Sequence, residues 1–226
     1  MPLTKTAVLV DLHVHTRLSA DSSADPKAYV QALARAGSPL AAICFTEHRL
    51  YPIDEDTDRL YEELSSRFGV AIFKGVEADT DLGHLLLFGL TPTLLSRFDL
   101  GQRMLRSHSV IEVVHGEGGV AIPSHPFRDS GFGPRLDELL AQVGPALGAI
   151  EAVNGQNTHA QNEQAIIAAE KLGLAAVGGS DAHYAGDDWF LTCATELERE
   201  VRTVEELCAE LRAGRARPHV FARSEG

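Results

Sequence analysis

The sequence predicts an α/β fold in which parallel strand-helix units close into a single barrel. Three observations carry this expectation. Short apolar runs rich in β-branched residues alternate with stretches whose apolar positions recur at helical spacing, the pattern of βαβ units. The 226 residues suit one such barrel, which routinely takes about 200–250. His, Asp and Glu recur at the C-terminal ends of the apolar runs, where a parallel barrel builds its active site.

The first strand is AVLVDLHVH, residues 7–15. A Ser- and Asp-rich loop leads to Asp25, an N-cap, and Pro26 at the first helical position of a helix to about Ala36, ended by Gly37 and Pro39. The strand LAAICFTEH (40–48) is followed by a helix from about Asp54 to Phe68, which Gly69 caps. VAIFKGVEAD (70–79) and HLLLFGL (84–90) read as strands joined by a tight turn from Thr80 to Gly83. A helix from near Leu105 to Glu117 leads through Gly118 and Gly119 into VAIPSHP (120–126). FRDSGFGP (127–134) is a surface loop, Arg135 to Val143 a short helix and AIEAVN (149–154) a strand. Asn157 opens a helix to Leu172 as its N-cap, and LAAVGGSDAH (174–183) is the next strand with its terminal loop. FLTCATEL (190–197) is an extra strand, and Thr203 with Glu206 forms a capping box on a closing helix to Ala213. The expected organisation is one domain, 1–226, with about 184–226 as a C-terminal strand-helix extension.

Composition narrows the function. With 44% apolar and 23% charged residues, the chain is neither disordered nor fibrous. A formal net charge of −12 argues against a broad grip on nucleic acid, which clustered Lys and Arg would supply. No apolar run approaches the roughly 20 residues of a membrane span, and Asp11 interrupts the N-terminal run too early for a signal peptide. Cys44, Cys193 and Cys208 are scattered without CxxC spacing, the usage of reduced thiols in a cytoplasmic protein.

The ionisable strand ends carry the chemistry. In DLHVH, alternation puts Asp11, His13 and His15 on one face and Leu12 and Val14 on the other. Burying such groups without partners costs several kcal/mol each, so they must be paired, hydrogen-bonded or bound to metal. His48, Glu77 with Asp79, His125, Glu151 with Asn154, and Asp181 with His183 end later strands, and His84 opens one. Imidazole and carboxylate, with the thiols placed elsewhere, suit borderline divalent ions.

HxH followed by Asp21, then TEH, GVE, GHLLLFG, SHP and GSDAH in that order, resembles the PHP (polymerase and histidinol phosphatase) family of metal-dependent phosphoesterases. The resemblance runs from Asp11 to His183, and the tail is similar to the segment often attached to such domains. It implies a distorted seven-stranded (β/α) TIM-like barrel, the PHP fold, and up to three divalent ions such as Mn, Zn or Fe. Carried over motif by motif, His13, His15, Glu77 and Asp181 would hold the first ion. Glu77 would bridge to a second, completed by His84 and His125. Asp21, His48 and His183 would hold the third.

There is no GxSxG elbow, Walker loop or thiol near a motif, so the reading is hydrolysis by metal-activated water. Glu77 would bridge the ions and Asp181 orient the attacking water; His183 or His125 would be the leaving-group acid, a role that stays open because a metal ligand does not readily give up a proton. Arg128 and Arg17, and with less claim Arg49 and Lys74, stand within reach of phosphate oxygens, and Asn154 and His159 lie on the pocket rim. His108, His115 and His219 read as surface or packing residues. Only about 40 residues separate His84 from His125, too few for an inserted lid domain, which with the acidic surface favours a small phosphorylated substrate. A nucleotide or short oligonucleotide stays open; a long polymer and a membrane do not fit. Two other classes compete. An amidohydrolase-type C–N hydrolase shares HxH and a terminal Asp but typically wants a carboxylated Lys or Glu bridge, and a non-catalytic metal-binding accessory domain would have lost ligands that this chain keeps.

Overall fold

A computed structural model of the chain describes residues 8–129 and 135–222. The rest of the predicted FRDSGFGP loop, and Ala7 of the first strand, lie outside those residues. Nine strands and seven helices follow one another in the described residues. They begin β1 (Val8–Val14), α1 (Pro26–Ala36), β2 (Leu40–His48), α2 (Glu55–Phe68), β3 (Ala71–Thr80) and β4 (Gly83–Phe88). Next come α3 (Pro92–Leu95), α4 (Ser107–Gly116), β5 (Val120–Pro123) and α5 (Leu136–Val143). The chain continues with β6 (Ala149–Asn154), α6 (His159–Leu172), β7 (Ala175–Gly179), β8 (Cys193–Leu197), α7 (Val204–Arg212) and β9 (Ala216–Val220).

Local chemistry sets most of these boundaries. The Asp25 side chain accepts from Lys27 N with Pro26 at the first helical position, and Gly37 ends α1 in the left-handed region at φ 58°. Asp54 caps α2 by accepting from Thr57 N. The cap of α6 is Thr158, not the expected Asn157, because Thr158 and Gln161 form a reciprocal capping box. Asn157 is thereby released to bind a side chain in the site. At α7 the expected box is half formed: Thr203 accepts from Glu206 N, but the Glu206 carboxylate accepts from Arg202 N, one residue before the cap. Helix α3 and strand β9 are additional to the elements expected from the sequence. The first is a single turn begun by Thr91-Pro92, and the second carries Pro218, which an edge strand tolerates.

The α/β fold is a curled half-barrel with the order β5-β4-β3-β2-β1-β8-β9 and a separate parallel pair β6-β7. Pairs β1-β2 and β2-β3 are parallel. Strand β4 runs against both β3 and β5, so β5 points the same way as β1 to β3 and the main strands end on one side. The C-terminal strand β8 lies antiparallel against the outer edge of β1. Ring closure between β7 and β1 is short: Asp181 N donates to His13 O (2.7 Å) and His15 N to Ala182 O (2.9 Å). Val10, Leu12, Cys44, Leu86, Phe88, Ile122 and Val177 pack one apolar cluster against α7, and Tyr29, Phe45 and Tyr61 anchor another under α1 and α2. All three cysteines are buried and free.

Gly179 lets β7 approach β1 at the point where the site is built. A methyl group there would sit 2.5 Å from His13 Cβ and 2.9 Å from Glu151 Oε1. Exposed Gly116 at the end of α4 has open space instead. Gly179→Ala is therefore expected to lower the urea unfolding midpoint through overpacking that costs about 1–3 kcal/mol. Gly116→Ala is expected to leave the midpoint unchanged or raise it, through a stability gain of up to about 1 kcal/mol. Equal midpoints for the two variants would contradict this account.

Candidate metal centre

Strand alternation delivers His13 and His15 from β1 into the barrel mouth, both fully buried. Their Nε2 atoms lie 3.1 Å apart. Glu77 Oε2 is 3.4 Å from each, and Asp181 Oδ1 is 3.5 and 3.4 Å away. Four ligand atoms about 2.0–2.1 Å from a tetrahedral ion stand roughly 3.3 Å apart, so the donor set and its spacing fit a divalent ion.

Glu77, on β3, faces two ways. Its Oε1 meets His84 Nδ1 and His125 Nε2, each at 2.9 Å, and Ser124 Oγ at 3.0 Å. Its Oε2 faces His13, His15 and His48 Nδ1, the last at 3.0 Å. A carboxylate so placed could offer one oxygen to each of two ions. Asp21 Oδ2, in the loop after β1, lies 3.1 Å from His48 Nε2 and 3.4 Å from His183 Nε2. The rings of His48 and His183 stack against His15 with centroids 4.2 and 4.4 Å from it. All nine residues expected to hold ions are thus joined in one cluster, His84 among them.

The cluster holds its charges by mutual compensation. Burial alone would push His13 down, but Asp181, Glu151 and Glu77 outweigh it and hold the imidazole well above its usual range. Burial would raise Glu77 and Asp181, yet His13 with His84 and His15 keeps both well below the carboxylate range. His15 is pushed down to about 4 by burial. The set is built to hold positive charge, whether as a proton on His13 or as an ion.

A second layer orients these groups. Glu151 accepts from His13 Nδ1 (2.9 Å), His125 N (2.8 Å) and Asn154 Nδ2 (3.0 Å). Glu47 accepts from Thr16 and Ser19, and Asp11 Oδ1 from His13 N and Ser180 N. Burial pushes Asp11 up to about 6. The backbone is strained at three strand ends of the site: Arg49, His125 and Asp181 have φ of 56°, 35° and 57°. For residues other than glycine such conformations cost about 1–3 kcal/mol each and persist where surrounding contacts dictate them.

A cavity of about 450 Å³ opens over the cluster, lined by Asp21, His48, Glu77, His84, His125 and His183 together with Arg49, Arg103, Arg128 and Gln156. Arg128 is bound inward: Nη2 donates to Asp181 Oδ2 (2.8 Å) and Asn154 Oδ1 (2.6 Å), and Nε to Asn157 Oδ1 (3.0 Å). Asn154 is buried beneath the wall and not on its rim. Arg17 pairs with Asp25, Lys74 with Asp58, and His159 is exposed beside Glu163, so none of the three lines the cavity. Both ring nitrogens of His183 have partners, Asp21 at Nε2 and the Asp181 carbonyl (3.0 Å) at Nδ1. His108 and His219 lie away from the site, and His115 Nε2 accepts from Ala121 N. Gln156, Arg103, Ser19 and Glu47 were outside the sequence expectation. Glu47 carried a usable signal, an acidic residue in a strand otherwise apolar up to its polar end; the loop residues carried none.

The model of the PHP domain matches residues 11–118, and that of the PHP-associated segment matches 159–216. No curated protein matches the chain. Among solved structures, PsfC from Pseudomonas syringae is similar at 23% identity and a TM-score of 0.70, covering 96% of this chain and 92% of its own. A two-domain protein from Bacteroides vulgatus, described as containing a predicted PHP-like metal-dependent phosphoesterase, is 18% identical with a TM-score of 0.67 over 95% of this chain and 65% of its own. The lesion-specific endonuclease PfuEndoQ from Pyrococcus furiosus is 16% identical with a TM-score of 0.65, over 94% and 57%. At these identities the likeness is one of fold, and it is the PHP fold that the half-barrel takes. The two domain matches agree with the fold and with the clustered HxH, TEH, GVE and SDAH residues: this chain belongs to the PHP family.

Proposed function

We propose that the chain hydrolyses a small phosphate ester with the help of about three divalent ions, Mn, Zn or Fe, in sites of three to four protein ligands. The observation that carries this reading is the buried set His13, His15 and Glu77, with Asp181 Oδ1 within 3.5 Å of both imidazoles, joined through the two oxygens of Glu77 to further histidines. His13, His15, Glu77 and Asp181 would hold the first ion, Glu77, His84 and His125 the second, and Asp21, His48 and His183 the third. Ions so held supply Lewis-acid polarisation of phosphoryl oxygens and make water acidic enough to attack near neutral pH.

The protein's own part is to position. Arg128 and Asn154 grip Asp181 Oδ2, which leaves Oδ1 turned towards the histidines. Glu77 keeps the two imidazole sets in fixed relation. His183 helps close the cavity wall on the side of Asp21, and its full set of partners favours a positioning role over that of leaving-group acid. The cavity volume is in the range of small-molecule sites, and the net charge of −12 disfavours long polyanions. No lysine lines the cavity among the described residues, so of the two bridges an amidohydrolase-type centre uses only the Glu form, at Glu77, has a candidate here, and a panel of esters and amides decides between the two chemistries.

Protein loaded with Mn²⁺ or Zn²⁺ is expected to carry about three ions by elemental analysis, Asp21→Ala about two and Glu77→Ala about one. A wild-type content of one ion would sink the ligand assignment. On a panel of phosphomonoesters and amides, turnover is expected with the esters alone. Arg128→Ala should lower kcat/KM on the best ester about ten- to hundredfold, since charge-assisted hydrogen bonds contribute about 1.5–3 kcal/mol. Full activity in that variant would make Arg128 a passive wall residue. Long DNA or RNA should be degraded more slowly than a mononucleotide-sized ester; the opposite order would refute the small-substrate reading.

A further inference from the structure

Glu47 is fully buried on β2, one residue before His48. Its partners are all donors. Thr16 N lies 3.2 and 3.0 Å from Oε1 and Oε2, Thr16 Oγ1 lies 2.6 Å from Oε1, and Ser19 Oγ lies 2.6 Å from Oε2. A carboxylate accepts only, so the single hydroxyl proton of Ser19 points at Oε2. The Ser19 oxygen is then an acceptor for its other two contacts, His48 N at 2.9 Å and His15 Nδ1 at 3.2 Å. His15 must therefore carry its proton on Nδ1. That leaves the Nε2 lone pair aimed at His13, Glu77 and Asp181.

We propose that Glu47 and Ser19 are a positioning pair that sets the tautomer of His15 and ties the first ion position to the third. The inference rests on the metal-centre reading above. Ser19 reaches the first position through the His15 ring and the third through the His48 backbone, and it stands two residues before Asp21 in the same loop. That loop is also pinned to two strand ends by Ser22, whose hydroxyl meets His15 O at 3.2 Å and His183 O at 2.6 Å. The second position draws on Glu77, His84 and His125, whereas the Ser19 hydroxyl meets Glu47, His48 N and His15. His13 is fixed differently, by direct donation from Nδ1 to Glu151. The two histidines of HxH thus have separate supports, a carboxylate for one and a carboxylate acting through a serine for the other. Groups of this kind fix the ring orientation of a ligand and typically change metal affinity about 10- to 100-fold when removed.

The first test needs no variant. In metal-free wild-type protein, long-range ¹H–¹⁵N correlation spectra are expected to show His15 as the Nδ1–H tautomer, and the Nε2–H form would overturn the proposal. In competition with a chelator, Ser19→Ala is expected to weaken the Zn²⁺ affinities of the first and third positions about 10- to 100-fold and leave that of the second as in wild type. Its His15 resonances should shift towards the Nε2–H form while those of His84 and His125 stay in place. Glu47→Gln keeps the shape but turns an amide N–H against Thr16 or Ser19 in either orientation, so it should weaken the same two ions. Three wild-type affinities in a folded Ser19→Ala protein would refute the coupling. Ester hydrolysis by a wild-type protein whose His15 carries Nε2–H would sink this inference alone. The expected tautomer and affinities without turnover of any phosphate ester would sink the proposed function and leave the positioning pair standing.

Discussion

Glu77 is the residue on which the rest of the molecule depends. A carboxylate at 1% exposure would be costly without partners, and this one divides its two oxygens between separate sets of imidazoles. That division fixes where β1, β2 and β5 must end and where β4 must begin, because each brings at least one of the rings. It also accounts for the antiparallel β4. A parallel strand would enter the sheet from the opposite end, and only a hairpin return starts β4 with His84 opposite Asp79, next to the mouth of the barrel.

The histidines surrounding Glu77 need their own orientation, and buried acids provide it. Asp11, Glu47 and Glu151 come from three strands; Glu47 and Glu151 take backbone and side-chain donors, and Asp11 takes the backbone N–H groups of His13 and Ser180. A backbone donor ties the acid to the chain, so the ring it holds inherits the rigidity of the sheet. His125 and Asp181 reach the centre through left-handed backbone, which the His125 N–Glu151 and Asp181 N–His13 O hydrogen bonds hold in place.

Much of this was legible in the residues. Strand ends carrying HxH, TEH, GVE, SHP and SDAH stood out because a buried strand has no ordinary use for ionisable groups on its inward face, and the nine ion-holding candidates are the ones the fold gathers. Helix caps at Asp25 and Asp54 followed from short-range chemistry. What escaped depended on long-range closure. Glu47 sits between a Thr and a His that already seemed to explain its motif, and its partners Thr16 and Ser19 lie about 30 residues earlier. Arg17 and Arg128 look alike as loop arginines beside ligand histidines. Only the fold separates them: one finds Asp25 in the next helix, the other finds Asp181 across the barrel.

Arg128 also changes how recognition by this cavity has to be understood. From the sequence its planar fork was free to meet phosphate, yet Nε and Nη2 are already committed to Asn157, Asn154 and Asp181. A guanidinium held at two nitrogens is rigid but half neutralised, so an anion gains less from its charge than from its fixed position. The Asp181 carboxylate faces His13 and His15 through the other oxygen, which makes the wall and the cluster one hydrogen-bonded unit. The other guanidinium groups lining the cavity among the described residues are those of Arg49 and Arg103, the latter 3.9 Å from the Asp79 carboxylate.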